Sequence, residues 1–478
     1  VRFLFWAYLL FMVWAAATAT NPADPDLWHR LAVGEYLWQH HQFPLGDTFS
    51  YLSDYQNIAD HEWGSAVIFY ALWSWGGGAA MVGTKLVTLT ITLALVVWAG
   101  SQARRPTFLF AAFYTLVLLA LLPSFQSTIR CMVFTHIFLA LWLYWFQRER
   151  HVRPVPTLFY VVTMVPWANL HGGFTLGLFW LLTVTVVEAI FGRPWKIWLV
   201  RLGLCTLATL INPYGWRLWL SAFRALETTR AGFNEWAPVV WWTTQLSFPG
   251  YKLLLPFVIA ALAIQIYRLG WKYIDRPGVI LILVFIPMAL SSARHTSIFA
   301  IVAGALLPDF FPLKWPYFLI TGPVRRLVVA AASFALVIVP FFIGLLTLPG
   351  AGLTLEYKPI ACPVLAVDFL QQSKIRGNLL VPFNYGSYAL WELRGQMRVS
   401  MDGRYDLVYT PETYRRVDNF FTGRGDWQSL LTSPAPDAIL VPRDERVYGQ
   451  LREDSAWREA WTDPTDAVFV PFRPCTGP

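Results

Sequence analysis

The chain has 478 residues, 56% of them hydrophobic, 17% aromatic and only 14% charged, with a formal net charge of +8. Soluble domains carry about 25% charged residues, so this composition, with a mean hydropathy of +0.46, excludes an ordinary soluble enzyme and describes a polytopic membrane protein. The cations do not call for nucleic acid, since many stand in short loops between apolar runs, where they anchor and orient spans; the four cysteines lack any zinc, haem or iron–sulfur spacing.

About 20 apolar residues cross a bilayer as a helix, somewhat fewer when flanking side chains snorkel. The first candidate covers 3–20 behind Arg2; Asn21-Pro22-Ala23 is not a small-x-small cleavage site, so the segment is kept as an anchor rather than a signal peptide. In the loop that follows, 26–41 reads as an interfacial helix, because Leu27, Leu31, Tyr36, Leu37 and Trp38 stand among His, Arg and Glu and give it an apolar and a wet side. Residues 62–75 are apolar enough to span yet end in Trp75-Gly-Gly-Gly78; of the two readings, transmembrane and interfacial, the charge of the later loops favours the interface. Further spans are expected at 80–99, 108–122, 131–146, 156–169, 173–191, 197–211, 252–267, 278–291, 296–310 and 327–348, about eleven in all. Between them 213–242, with Glu227, Glu235, several Trp and Pro238, is a second interfacial segment suited to cover a ligand groove.

With this registration every second loop is basic: Arg104 and Arg105, then Arg148, Arg150 and Arg153, Arg193 and Lys196, Arg268, Lys272 and Arg276, then Lys314, Arg325 and Arg326. The positive-inside rule assigns these and the N-terminus to the cytoplasm. The domain division is then 1–349, a membrane domain with the outer loop 21–79, followed by 350–478, an extracytoplasmic soluble α/β domain. In the latter, strands are expected at 378–382, 398–401, 437–441 and 467–470, and helices at 411–418 and 445–451. Cys362 and Cys475 would be free to pair there if that region is extracytoplasmic.

The same topology collects Asp24, Asp26, His61, Glu62, Arg130, His171, Asn212, Arg294 and His295 at one outer face. Acidic groups this close to lipid are costly unless wet, paired or metal-bound. Asp24-Pro25-Asp26 presents two carboxylates on a stiffened backbone, able to take a proton from an acceptor hydroxyl or to hold a divalent cation, magnesium or manganese, with Glu62; the bland account has Asp26 capping a helix and Asp24 in a turn. Arg130 and Arg294-His295, with His171 and Asn212, form the basic and polar side, suited to a lipid phosphate, or alternatively to snorkelling and helix-end packing.

Asp24-Pro-Asp26 within 24–34, His61-Glu62-Trp63, and Trp167-Ala-Asn169-Leu-His171-Gly-Gly173 together resemble the GT-C class of polytopic glycosyltransferases, in particular bacterial members related to protein mannosyltransferases and aminoarabinose transferases. The resemblance implies a mostly α, GT-C-like membrane fold in the bacterial inner membrane. It also implies a polyprenyl-phosphate-linked sugar as donor, an acidic loop acting on a lipid, glycan or protein acceptor, and inversion at the anomeric carbon. Asp24 would then be the base, with Asp26 and Glu62 as helpers or metal ligands, and Arg294 would bind the donor phosphate. Val239-Val-Trp-Trp242 is followed by Thr243 and so departs from the Trp-Trp-Asp motif of oligosaccharyltransferases, which disfavours protein N-glycosylation. Two rival classes share the helices: a noncatalytic scaffold bound to lipid and membrane-protein partners, and a transporter, the latter disfavoured by polar groups gathered at one face rather than at the midplane.

Overall fold

In lipid, backbone N–H and C=O groups have no water to pair with, so apolar runs satisfy them internally as helices. The computed structural model describes residues 2–44, 46–55, 59–102, 108–127, 129–227, 234–241, 248–311, 331, 334–335, 337–344, 346 and 352–472. In chain order its helices are α1 (Arg2–Thr18), α2 (Pro25–His40), α3 (Trp63–Ser101), α4 (Phe108–Leu121), α5 (Met132–His151), α6 (Thr157–Leu170) and α7 (Phe174–Ile190). They continue as α8 (Trp195–Ala208), α9 (Arg217–Glu227), α10 (Pro249–Leu269), α11 (Arg276–Leu283), α12 (Phe285–Ser291) and α13 (Thr296–Leu306). The C-terminal region adds α14 (Val364–Gln372), β1 (Gly377–Leu380), α15 (Phe383–Glu392), β2 (Met397–Val399) and α16 (Pro411–Thr422), then β3 (Ala438–Pro442), α17 (Arg446–Glu453), β4 (Trp457–Thr462) and β5 (Asp466–Pro471).

The apolar segments expected between 3 and 310 are helical, but helix length corrects the expectation of eleven spans. Among the described residues α3 and α10 are long and apolar enough to cross a bilayer, while Phe3–Thr18, Phe110–Phe125, Thr157–Leu170, Phe174–Ile190 and Arg276–Ser291 are apolar and shorter. At 1.5 Å per residue the shorter ones reach about 21–26 Å, against a hydrocarbon core of ~30 Å. Of the segment 327–348, residues 327–330, 332, 333, 336, 345, 347 and 348 lie outside the described residues and the others are helical; Cys475 also lies outside, so the Cys362–Cys475 pairing is not described. These features are consistent with a multi-pass membrane protein. Within α3 the helical conformation breaks at Gly76 and at Gly77, whose φ of 53° only glycine adopts readily, so 63–75 and 78–101 are two rods.

Contacts group the chain into two compact units, and the division differs from one at 349/350. One unit comprises Val1–Asn21, Gly78–Pro213 and Arg230–Thr354; the other comprises Pro22–Gly77, Tyr214–Thr229 and Leu355–Pro478. The first is a helical bundle with an aromatic core, in which Trp142 meets Tyr160 and Trp167 edge-on, both at 5.2 Å between ring centres. The basic loops of this unit are partly neutralised: Arg150 pairs with Asp275 and with Asp309 (3.1 Å), Arg193 with Asp275 (3.1 Å), and Arg201 with Glu149 (2.8 Å).

The second unit is built on a mixed five-stranded sheet in the order β2-β1-β3-β5-β4. β1 runs parallel to β2 and β3, and β5 runs antiparallel to β3 and β4. Leu380, Ile439, Val441, Val417, Phe420, Val447 and Phe469 form its core. The four expected strands coincide with β1, β2, β3 and β5. β4 is an edge strand with no fully buried residue, so Arg458 and Glu459 can face solvent and no apolar alternation marks it. The outer loop joins this unit through the backbone: Ala23 N–H donates to Glu356 O (2.7 Å), Val399 N–H to Phe49 O and Tyr51 N–H to Val399 O (both 3.1 Å).

Candidate active site

Proline at the first helical position pre-sets φ and sacrifices an N–H that would lack a partner anyway. Pro25 occupies that place in α2, and Asp24, in extended conformation, is the N-cap: its Oδ1 accepts the Asp26 N–H at 3.0 Å. Asp24 is fully buried, whereas Asp26 in the first turn is exposed. Capping thus falls to Asp24, the reverse of the bland expectation.

The amphipathic, interfacial picture of α2 needs correction, because Leu27 to Gly34 are all buried, His29 and Arg30 included. His29 and Arg30 are both held by partners from elsewhere in this unit. Arg30 Nη1 meets Asp60 Oδ2 and its Nη2 meets Glu62 Oε2, both at 2.6 Å, while His61 Nε2 lies 3.9 Å from Glu62 Oε1. His29 Nδ1 lies 3.1 Å from Ser387 Oγ on α15, and the same hydroxyl accepts the Gly403 N–H at 2.9 Å. Trp28, also buried, stacks on Tyr357 and meets Tyr388 edge-on.

Gly403 sits where the C-terminal region touches the acidic motif. A Cβ there would lie 2.8 Å from both Asp26 Oδ1 and His29 Nδ1, so only glycine lets the backbone pass so close. On either side, Asp402 and Arg404 anchor the loop. Arg404 Nε and Nη2 donate to Asp402 Oδ1 and Oδ2 (2.8 and 2.6 Å), and Nη1 and Nη2 donate to Asp47 (2.8 and 3.0 Å). Tyr409 OH donates to Asp402 Oδ2 at 2.9 Å. Burial alone would raise the Asp402 carboxyl, but the Arg404 charge and its hydrogen bonds outweigh it and hold it down at about 2. Burial, then the nearby Arg30 and Arg404 charges, push His29 down to about 3 against the opposing pull of Asp402 and Glu62, so its imidazole is neutral at physiological pH.

Arg130 and Arg294 are brought together in the first unit by a residue counted at the sequence level only as part of a covering segment. Arg130 Nη1 donates to Glu235 Oε2, and Arg294 Nη1 donates to Glu235 Oε1 at 3.0 Å. His295 lies edge-on to Trp236 at 6.1 Å, with its Nδ1 3.3 Å from Met288 O. His171 Nδ1 is bonded to Thr135 Oγ1 (2.8 Å) and accepts the Gly173 N–H (2.9 Å), and Asn212 Nδ2 donates to Thr209 O (2.6 Å). His171 thus ties the end of α6 to α5, while the Asn212 bond is local to the end of α8.

The acidic residues do not fit a metal ion. Among the described residues no three His, Cys, Asp or Glu side chains cluster as ligands; Asp24 is engaged in its cap and Glu62 in the Arg30 pair, so no step is routed through magnesium or manganese. Sequence inspection missed Asp47, Asp60, Asp402, Arg404 and the bridging role of Glu235. The one available signal was Asp402-Gly-Arg404 directly after a strand, three residues that carry both charges around a glycine.

No protein-family model matches the sequence, and no curated protein matches it closely enough to count as a relative. Solved structures do match. The Archaeoglobus fulgidus oligosaccharyltransferase tethered with an acceptor peptide aligns at a TM-score of 0.61 and 10% identity, covering 92% of this chain and 69% of that one. The mycobacterial arabinofuranosyltransferase AftD aligns at 0.58 and 12%, covering 98% and 40%. ArnT from Cupriavidus metallidurans, bound to undecaprenyl phosphate, aligns at 0.55 and 14%, covering 100% of this chain and 99% of that one. At such identities the likeness is one of fold: the chain has the mostly helical GT-C fold of these glycosyltransferases, carried together with a C-terminal mixed sheet.

Proposed function

We propose that the protein transfers a sugar from a polyprenyl-phosphate-linked donor to a lipid, glycan or protein acceptor at the extracytoplasmic face of a bacterial inner membrane. What supports this most is the match to ArnT over nearly the full length of both chains, in a structure that holds undecaprenyl phosphate. In this reading the shorter apolar helices also enter the bilayer, helped by local thinning and snorkelling ends, and 350–478 lies outside.

The exposure of Asp26 favours it over the buried Asp24 as general base. Asp26 takes the proton of the acceptor hydroxyl as that oxygen attacks the anomeric carbon. The bond from this carbon to the donor phosphate oxygen breaks with inversion and polyprenyl phosphate leaves; Arg130 and Arg294, in the first unit, are proposed on their own account as ligands of a lipid phosphate. Asp24 holds the turn, and Glu62 with His61 fixes α2 through Arg30. His171, Asn212 and His295 shape the ends of the helices around the donor.

The test is turnover of labelled polyprenyl-phosphate sugars by the purified protein in proteoliposomes. Transfer or hydrolysis that depends on Asp26 is expected; a protein that neither binds nor turns over any member of the panel would be a scaffold instead.

A further inference from the structure

Two arginines from distant parts of the chain converge on one carboxylate, and each takes a different oxygen of Glu235. The side chains are part exposed, 29% for Arg130, 25% for Arg294 and 36% for Glu235. Glu235 sits on a single 3-10 turn, Asn234–Trp236. Ser292 Oγ donates to Glu235 O (3.0 Å), Ala293 N–H donates to Ala237 O (2.9 Å), and the Arg294 guanidinium lies over the Trp236 ring at 4.9 Å, so the turn faces the 292–294 segment.

Two guanidiniums repel one another unless an anion stands between them. A carboxylate serves, but a phosphate monoester offers more acceptor oxygens to the same planar forks and more charge, and a diester matches the carboxylate in both. A carboxylate carried on a three-residue turn is also one that a stronger anion can replace by moving a short segment.

We propose that Arg130 and Arg294 form a phosphate site and that Glu235 is its resident stand-in, displaced when a phosphate monoester or diester enters. The proposal rests on the donor half of the function proposed above. It adds selectivity by exchange: a neutral isoprenoid has nothing to drive the carboxylate out, so the site stays closed to it. Apparent affinity for the phosphate is the intrinsic affinity reduced by the fraction of molecules from which Glu235 has departed, so removing the competing charge tightens binding.

The experiment compares binding of undecaprenyl phosphate, undecaprenol and inorganic phosphate to full-length protein in phosphatidylcholine nanodiscs. Glu235→Gln is expected to bind undecaprenyl phosphate about tenfold more tightly than the unmodified protein. Glu235→Asp, whose shorter arm keeps the charge but cannot span both arginines, should tighten by a smaller factor and serves if the glutamine variant folds poorly. Arg130→Gln and Arg294→Gln should each weaken binding about tenfold, the size expected for one lost charge-assisted hydrogen bond. Undecaprenol should bind alike throughout. Equal tightening for inorganic phosphate would support the site and name free phosphate as the source rather than a lipid headgroup. Arginine variants that weaken while both Glu235 variants bind no better than the unmodified protein would overturn the stand-in and keep the donor site, with Glu235 a structural tie. Binding unchanged in all four variants would overturn both.

Discussion

Asp24 and Asp26 are the same residue type two positions apart, and the helix start gives them different work. Asp26→Asn should lower turnover by about 10²–10⁴, the usual worth of a general base, with little change in melting temperature. Asp24→Asn retains a good N-cap and should stay active, whereas Asp24→Ala should cost about 1 kcal/mol of stability; a rate loss in Asp24→Asn as large as that in Asp26→Asn, measured in the same proteoliposomes, would return the base to Asp24. His29 supplies a pH signature. Its folded pKa of about 3 lies below its ordinary value of 6.5, so below pH 6.5 the unfolded chain takes up a proton that the folded one refuses. Stability is therefore full above 6.5 and declines as pH falls toward 3. His29→Asn should flatten that part of a melting-temperature profile against pH.

At the scale of elements, the 402–404 loop ties the C-terminal sheet to α2. Arg404→Gln leaves Asp402 and Asp47 buried without their counter-charge, and breaking such a pair costs about 3–5 kcal/mol; a melt that moves by less than a degree would show the network to be dispensable. Gly403→Ala should displace Asp26 and His29 together and lower turnover more than it lowers thermal stability. The sequence made the membrane helices legible because unbroken apolar runs have few folding options, and made β1, β3 and β5 legible because they are buried. It hid β4, an exposed edge, and the burial of α2, since His29 and Arg30 read as a wet face until Ser387, Asp60 and Glu62 are known to meet them. The Arg404–Asp47 pair spans 357 residues, a separation at which no spacing rule operates. Arg130 and Arg294 were identifiable as lone cations at span ends; their common partner Glu235 was not, because nothing local links it to either.

For the whole molecule, a cytoplasmic N-terminus with 350–478 outside predicts that a cysteine introduced at position 406 reacts with a membrane-impermeant maleimide in intact cells, while one at 150 reacts only after permeabilisation. The opposite pattern would reverse the orientation and leave the acidic motif on the wrong side for an extracytoplasmic transfer.

The backbone link from Ala23 to Glu356, and the contacts of α2 with Ser387 and Gly403, set an order of events at the ribosome. Asp26 is made early, yet Ser387, the partner of His29, emerges 358 residues after it and Gly403 later still, a delay of roughly twenty seconds to over a minute at ~5–20 residues per second. Throughout that interval Arg30 can already pair with Asp60 and Glu62, but His29 and Asp26 must wait without their C-terminal neighbours. A chain cut short between 352 and Gly403 would already carry its apolar helices, but would expose an acidic loop still lacking its C-terminal partners, and quality-control proteases should recognise it as unfinished.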